Sequence, residues 1–159
     1  MNSLKQLLVS ISLCLSVTTG VADENRTGSM KDVTVSFEIL DANGNPTARF
    51  APGEKATFRI ELTNTGTQDL HDTYTAPGYE IGVYQPGTGT LLWAANAEMA
   101  FIQVIQEYVI KAGETKRLEN PWDLRDVDGL PLPPGHYEVR ASLNIGQLGE
   151  LKPLSLTVK

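Results

Sequence analysis

Hydrophobic and polar residues alternate along much of the chain after residue 32, with the period of two that half-buried strands show. The clearest run is residues 56–63, in which four apolar residues alternate with four polar or charged ones. The same alternation occurs in residues 33–39 and 137–143. We therefore predict a strand in each of these segments, with one face toward a core and the other toward solvent.

Shorter apolar runs, separated by turns that contain Gly, Pro or Asn, predict the remaining strands. Residues 79–84 and 91–93 form a hairpin in this prediction, and two more strands flank the turn at residues 112–114. Only residues 94–100 favour a helix, of no more than a turn or two. About eight or nine short strands without a long helix predict an all-β, immunoglobulin-like antiparallel β-sandwich.

Tyr137 follows Pro134 and Gly135 at the start of a late strand. This pattern is typical of a corner tyrosine, whose hydroxyl bonds back to the upstream backbone in such sandwiches. The alternative is that Tyr137 is an ordinary core residue. Both interpretations make it structural.

The first residues have the features of an export signal. Lys5 precedes an apolar run at residues 7–17 that is too short to span a bilayer, and small residues follow at 20–22. We expect a signal peptide at residues 1–22, cleaved after Ala22, and a periplasmic or secreted mature chain. Cys14 lies inside the apolar run after a leucine, which does not fit a lipoprotein signal.

The mature chain is expected to have a flexible leader at residues 23–32 and one β-sandwich domain at residues 33–159, without a membrane span. Its single cysteine leaves with the signal, so neither disulfides nor a thiolate nucleophile are available. The formal charge of the full chain is −6. An acidic chain without a basic cluster is a poor partner for nucleic acid.

The residues that could support catalysis do not form a recognisable motif. None of the serines lies in a Gly-x-Ser-x-Gly elbow, and the two histidines lie in separate segments. Asp126 and Asp128 resemble part of a calcium loop, but the other ligand positions are not acidic, and a solvated loop is the favoured alternative. We therefore expect no enzyme activity, no metal site and no cofactor.

The proline-rich connection at residues 129–135 is the best candidate for a binding loop. Residues that precede proline are restricted to extended geometry, so the loop is stiff before a partner binds. We predict that Leu130, Pro131 and Leu132 contact the partner. The alternative is that this connection only covers one end of the sandwich, with the two leucines filling the core.

Several short segments, in their order, resemble the family of BsuPI-type intracellular proteinase inhibitors. They include the strand that ends at Thr63 and Asn64, the strand that ends at Trp93, the Gly-Glu turn at residues 113–114 and Trp122. The apolar segment at residues 99–105 is similar to the family's Phe-x-Gln segment. This resemblance covers about residues 56–143. It implies a non-enzymatic domain that inhibits subtilisin-class serine proteinases.

The residues and the resemblance together favour an exported, non-enzymatic β-sandwich that binds a protein, with a serine proteinase as the candidate partner. Because of the export signal, the target is not expected to be intracellular. The alternative is a periplasmic structural or assembly module that holds an envelope partner through a sheet edge or end loops, without inhibition.

Overall fold

The computed structural model describes residues 30–97, 99–102 and 104–159. Within them the chain forms eleven strands and two short 3-10 turns, at Met30–Asp32 and Ile145–Gln147. The strands are β1 (Val33–Leu40), β2 (Arg49–Phe50), β3 (Ala56–Asn64), β4 (Leu70–Thr75), β5 (Tyr79–Tyr84), β6 (Leu91–Ala94), β7 (Ile105–Ile110), β8 (Thr115–Trp122), β9 (Gly135–Leu143), β10 (Gly149–Glu150) and β11 (Leu154–Val158). The predicted signal peptide and residues 23–29 of the predicted leader lie outside the described residues.

The described strands form three sheets. One has the order β1-β3-β8, a second has the order β2-β11-β9-β5-β6 with β10 added to β9, and the third is the pair β4-β7. All pairings are antiparallel except the short parallel contact between β2 and β11. The predicted immunoglobulin-like β-sandwich is therefore confirmed, and so is the predicted β5-β6 hairpin.

Strand β3 illustrates why the alternation in the sequence produces two layers. Its four inward apolar side chains are each 0% exposed and pack in one cluster with inward residues of the β9-β5 sheet. Its outward residues instead form cross-strand ion pairs with β8. Arg59 Nε lies 2.7 Å from Glu119 Oε1, and Arg117 Nε lies 2.6 Å from Glu61 Oε1. One face of the strand is thus dry and the other is solvated.

Three aromatic side chains join the two larger sheets. The ring centroid of Phe58 on β3 lies 5.6 Å from that of Trp93 on β6 and 5.5 Å from that of Trp122 on β8. The two indoles are 5.4 Å apart. Aromatic pairs at such distances stabilise a core beyond the area that they bury. This cluster therefore holds the two sheets packed face to face near β6.

The strands on either side of the turn at residues 111–114 do not pair with each other. Strand β7 pairs with β4, whereas β8 pairs with β3. The buried Asn64 holds the crossing point, because its side-chain amide donates to the carbonyls of Gln68 at 2.8 Å and Ile110 at 3.0 Å. Its backbone also accepts from Gly113 at 2.9 Å and donates to Glu114 at 3.0 Å. The chain therefore changes sheets at this turn.

The remaining local predictions can be placed in the same fold. The hydroxyl of Tyr137 donates to the Pro133 carbonyl at 2.5 Å, and its side chain is buried, which confirms the corner tyrosine. Residues 95–97 form a turn. Among the residues that the structure describes, no helix is long and apolar enough to cross a membrane.

Candidate functional site

The connection between β8 and β9, residues 123–134, is a small hairpin, here called the hairpin loop. The Leu132 N–H donates to the Leu124 carbonyl at 2.9 Å, and Arg125 and Pro131 form an antiparallel bridge. The Arg125 guanidinium also donates to the Gly129 carbonyl at 2.7 Å. Backbone pairing, in addition to the prolines, therefore makes this loop rigid.

Asp126 closes the tip of the hairpin loop. Its Oδ1 accepts hydrogen bonds from the backbone N–H groups of Asp128 at 3.0 Å and Leu130 at 2.8 Å. Its own N–H donates to the Leu130 carbonyl at 2.9 Å. The carboxylate therefore acts as a local cap of the turn, a role that aspartate often has in loops.

The three predicted binding residues do not share one surface. Leu132 is only 5% exposed and packs in the core beside Leu124, as the packing alternative expects. Leu130 is 61% exposed, and Pro131 is also exposed. A partner could therefore contact Leu130 and Pro131, whereas Leu132 anchors the loop from inside.

The backbone of the hairpin loop is largely occupied by its own hydrogen bonds. Both the N–H and the carbonyl of Leu130 bond to Asp126, and the Leu132 N–H bonds to Leu124. Pro131 has no N–H to donate. A partner that approaches this tip would therefore meet side chains more readily than free backbone groups.

A second candidate surface lies in the connection between β6 and β7 and at the first residue of β7. Four large apolar side chains within seven positions are exposed there: Met99 by 59%, Ile102 by 78%, Val104 by 49% and Ile105 by 76%. We call these four residues the apolar strip. Elsewhere among the described residues, three large apolar side chains are comparably exposed: Leu91, Val127 and Leu130. The strip is thus the densest run of exposed apolar side chains in the described chain.

The sequence signal for this strip is the apolar segment at residues 99–105, which resembles the family's Phe-x-Gln segment. Residues 99–105 are apolar without the strict alternation of the neighbouring strands. Such a run is compatible with a buried segment as well as with an exposed one, so periodicity alone could not distinguish the two. The sequence therefore does not predict that these side chains are exposed.

A groove of about 790 Å³ lies beside the strip, on the outer face of β5, β6 and β9. Met99 and Phe101 line it from the β6-β7 connection. At its floor the Tyr84 ring crosses Gly82, where an added Cβ would lie 2.8 Å from ring atom Cε2. A side chain at position 82 would therefore displace the ring and reshape the groove.

The charged groups of the groove are partly paired. The Arg140 guanidinium lies 4.6 Å from the Tyr84 ring centroid and forms an ion pair with Glu138. The hydrogen bond that Arg140 donates to the Glu138 carboxylate raises the pKa of Arg140 above its usual value. Glu80 and Glu150 also line the groove, so its net charge is negative. This charge makes the groove a poor site for anionic ligands.

Two tyrosines flank the candidate surfaces in contrasting ways. The hydroxyl of Tyr137, next to the hairpin loop, bonds to the Pro133 carbonyl. The hydroxyl of Tyr108, on β7 after the apolar strip, is buried and has no hydrogen-bond partner among the described residues. Burial, followed by the charge of Glu114, raises the pKa of Tyr108 to about 12. Its ring packs edge-on against Tyr74, with the centroids 6.1 Å apart.

The residues considered for catalysis and metal binding are dispersed. His136 Nδ1 lies 3.0 Å from Thr157 Oγ1 on the solvated face of the sheet, and His71 is exposed on β4. Within residues 30–97, 99–102 and 104–159, no hydrogen bond joins a histidine to a serine. In the same residues no three His, Cys, Asp or Glu side chains cluster closely enough to hold a metal ion.

Several solved structures are similar to this chain at low identity. An alkylpurine DNA glycosylase of Pseudomonas fluorescens is 15% identical, with 80% of this chain and 30% of that one covered at a TM-score of 0.47. A cycloisomaltooligosaccharide glucanotransferase of Paenibacillus is 14% identical, with 77% and 13% covered at a TM-score of 0.45. The chain thus spans less than a third of either protein.

A third similar structure is a CARDB domain from Pyrococcus furiosus, which is 16% identical. The alignment covers 86% of this chain and 97% of that domain, with a TM-score of 0.42. No curated protein matches the sequence.

The family described as BsuPI, intracellular proteinase inhibitor, matches residues 44–147, which is more than half of the chain. The matched range contains the motif residues that meet in space: Asn64 against the turn at residues 113–114, and Trp93 against Trp122. It also includes both the hairpin loop and the apolar strip. On this match, the chain belongs to the BsuPI family of intracellular proteinase inhibitors.

Proposed function

We propose that this protein is an exported, non-enzymatic domain that binds a protein partner and inhibits a serine proteinase. The observation that carries the proposal is the family match over residues 44–147. This range extends from the turn after β1 to the second 3-10 turn, so it includes most of the sandwich and both candidate surfaces.

The packing of the fold supports a role in binding. Inward side chains of the two larger sheets form one apolar cluster, which leaves the connections and sheet rims for recognition. In the hairpin loop, Leu130 and Pro131 are the proposed contact residues and Leu132 is their anchor. A loop held in one conformation loses little entropy on binding, which favours affinity.

The proposed lack of enzyme activity is supported by how the polar groups are used. The Asp126 carboxylate caps its own loop, and Asn64 bonds to backbone groups at the sheet crossing. These side chains have structural partners. Catalysis would instead need polar groups that converge on a pocket with a nucleophile and a base in contact.

The proposed location follows from residues 1–22. The family description refers to intracellular inhibitors, whereas these residues have the charge, apolar run and small residues of an export signal. We therefore propose a target proteinase outside the cytoplasm. After expression of the full chain, N-terminal sequencing of the exported protein should begin at Asp23. A cytoplasmic product that retains residues 1–22 would contradict export.

Inhibition itself is tested with the purified mature chain and a panel of subtilisin-like and trypsin-like serine proteinases. We expect inhibition of at least one of them at micromolar concentration, weakened by the substitution Leu130→Asp. If none is inhibited, the inhibitor proposal is wrong. Recovery of an envelope assembly component instead of a proteinase from envelope extracts would favour the structural alternative.

A further inference from the structure

We propose that the apolar strip, Met99, Ile102, Val104 and Ile105, is the main surface that docks into the substrate cleft of the inhibited proteinase. This inference rests on the proposed inhibitor function and names the surface that would carry it. The hairpin loop then contributes a secondary contact through Leu130.

The four side chains of the strip are exposed to solvent. Ile102 and Ile105 are 78% and 76% exposed, although both are among the most hydrophobic side chains. A contiguous group of exposed apolar residues on a soluble domain marks a surface that a partner covers, since its burial removes apolar area from water. Fully burying one such side chain is worth roughly 1.5–3 kcal/mol, so four of them make a strong docking surface.

The strip is also held at both ends. On the β6 side, the Asn96 amide donates to the Tyr79 carbonyl at 2.7 Å, and the Met99 N–H donates to the Asn96 carbonyl at 3.1 Å. On the β7 side, Ile105 pairs with Thr75 of β4. The Val104 N–H donates to the Ile102 carbonyl at 2.8 Å, which keeps these two side chains close together. Anchoring of this kind reduces the entropy lost on docking.

Three backbone N–H groups of the same segment have no backbone acceptor among the described residues. The N–H groups of Ala100, Phe101 and Ile102 make no backbone hydrogen bond to another described residue. Proteins that bind extended chains combine backbone pairing with pockets for side chains. A proteinase cleft is a site of this type. The strip can satisfy both requirements, whereas the Leu130 backbone of the hairpin loop is already bonded to Asp126.

A second copy of this chain is a less suitable occupant. Each copy has a formal net charge of −6, so two copies repel each other at low ionic strength. The four side chains of the strip carry no charge, and the strip lies inside the range that matches a family of proteinase inhibitors. We therefore assign the strip to the proteinase.

The test compares the double variant Ile102→Asp/Val104→Asp with the wild-type mature chain in inhibition assays. Loss of two central contacts should raise the inhibition constant at least about 30-fold, the scale of an interface hot spot. Both positions are exposed, so the circular dichroism spectrum and the Tm should stay close to those of the wild type. The control is Thr88→Asp, an exposed residue of the β5-β6 hairpin outside both the strip and the hairpin loop, which should change inhibition less than about threefold.

The outcomes separate the inference from the function on which it rests. If the wild type inhibits a proteinase and the folded double variant inhibits it equally well, the strip is not the docking surface, although the inhibitor function stands. If the wild type inhibits none, the function and the inference fail together. Light scattering that shows a wild-type dimer, and a monomer for the double variant, would assign the strip to self-association and overturn the inference.

Discussion

The connection that follows β6 and the connection that follows β8 differ in whether their apolar side chains are buried or exposed. The hairpin loop directs Leu124 and Leu132 inward, bonds its own backbone and exposes one leucine at its tip. The connection before β7, together with the first residue of β7, exposes four large apolar side chains. The comparison teaches that the proline-rich connection buries two of its leucines, whereas the connection without proline leaves its large apolar side chains uncovered.

The largest expected effect concerns stability and separates the two leucines of the hairpin loop. Leu132→Asp places a carboxylate in the core and should lower the free energy of unfolding by more than about 3 kcal/mol. Leu130→Asp changes an exposed tip and should stay within about 0.5 kcal/mol. Chemical denaturation of both variants measures this. Equal effects would mean that the two leucines share one environment, contrary to their burial.

A smaller effect is expected at the tip of the hairpin loop. Asp126→Ala removes the acceptor of two backbone N–H groups and should cost about 1 kcal/mol of unfolding free energy. Asp126→Asn keeps an acceptor oxygen and is the control, which should remain near the wild type. Urea denaturation of the three proteins gives the values. A wild-type stability for the alanine variant would show that the carboxylate does not hold the loop.

The two tyrosines offer a matched pair, one for each region. Tyr137→Phe breaks the bond to the Pro133 carbonyl and should cost about 1 kcal/mol. Tyr108→Phe removes a buried hydroxyl that lacks a partner, so stability should be unchanged or slightly higher. Thermal and chemical unfolding of both variants distinguish these outcomes. Destabilisation by Tyr108→Phe equal to that by Tyr137→Phe would point to a bonded hydroxyl at Tyr108.

The smallest expected effect depends on pH. Burial and the charge of Glu114 raise the pKa of Tyr108 from its usual 10.0 to about 12 in the folded chain. The folded state therefore binds this proton more tightly than the unfolded state does, and the associated stability is present below pH 10 and lost as the pH rises toward 12. Tyr108→Phe should lose less stability between pH 9 and pH 11 than the wild type loses.

An absorbance titration at alkaline pH provides an independent check, because ionised tyrosine absorbs differently from the neutral form. One phenol that titrates near pH 12 in the wild type should be missing from Tyr108→Phe. If both proteins titrate identically, Tyr108 ionises in its ordinary range and its environment is wetter than the burial of its hydroxyl implies.

The features that could be predicted from the sequence are local ones. The alternation in β3 identified its buried face, the Gly-containing loop identified the β5-β6 hairpin, and the residues before Tyr137 identified the corner. Each depends on backbone geometry within a few residues. Burial of one face against another sheet then followed from the need to remove that face from water.

The features that could not be predicted depend on partners that are distant in sequence. A tight turn joins β7 and β8, yet β7 pairs with β4 and β8 pairs with β3. At this crossing the Asn64 side chain donates to the Ile110 carbonyl, a contact between residues distant in sequence. Leu130 and Leu132 are separated by one residue, as are neighbouring residues on the same face of a strand, yet Leu130 is exposed and Leu132 is buried. The antiparallel bridge between Arg125 and Pro131 folds the loop back on itself, with Leu132 in the core and Leu130 exposed at the tip.

The buried Asn64 amide has a consequence for how the domain assembles. Its side chain reaches the carbonyl of Ile110, 46 positions further along the chain, so this hydrogen bond forms only after that long loop has closed. A half-assembled intermediate that buries Asn64 earlier leaves a polar group without a partner, which is unfavourable. The Asn64 side chain therefore ties the docking of the β4-β7 pair to the end of β3.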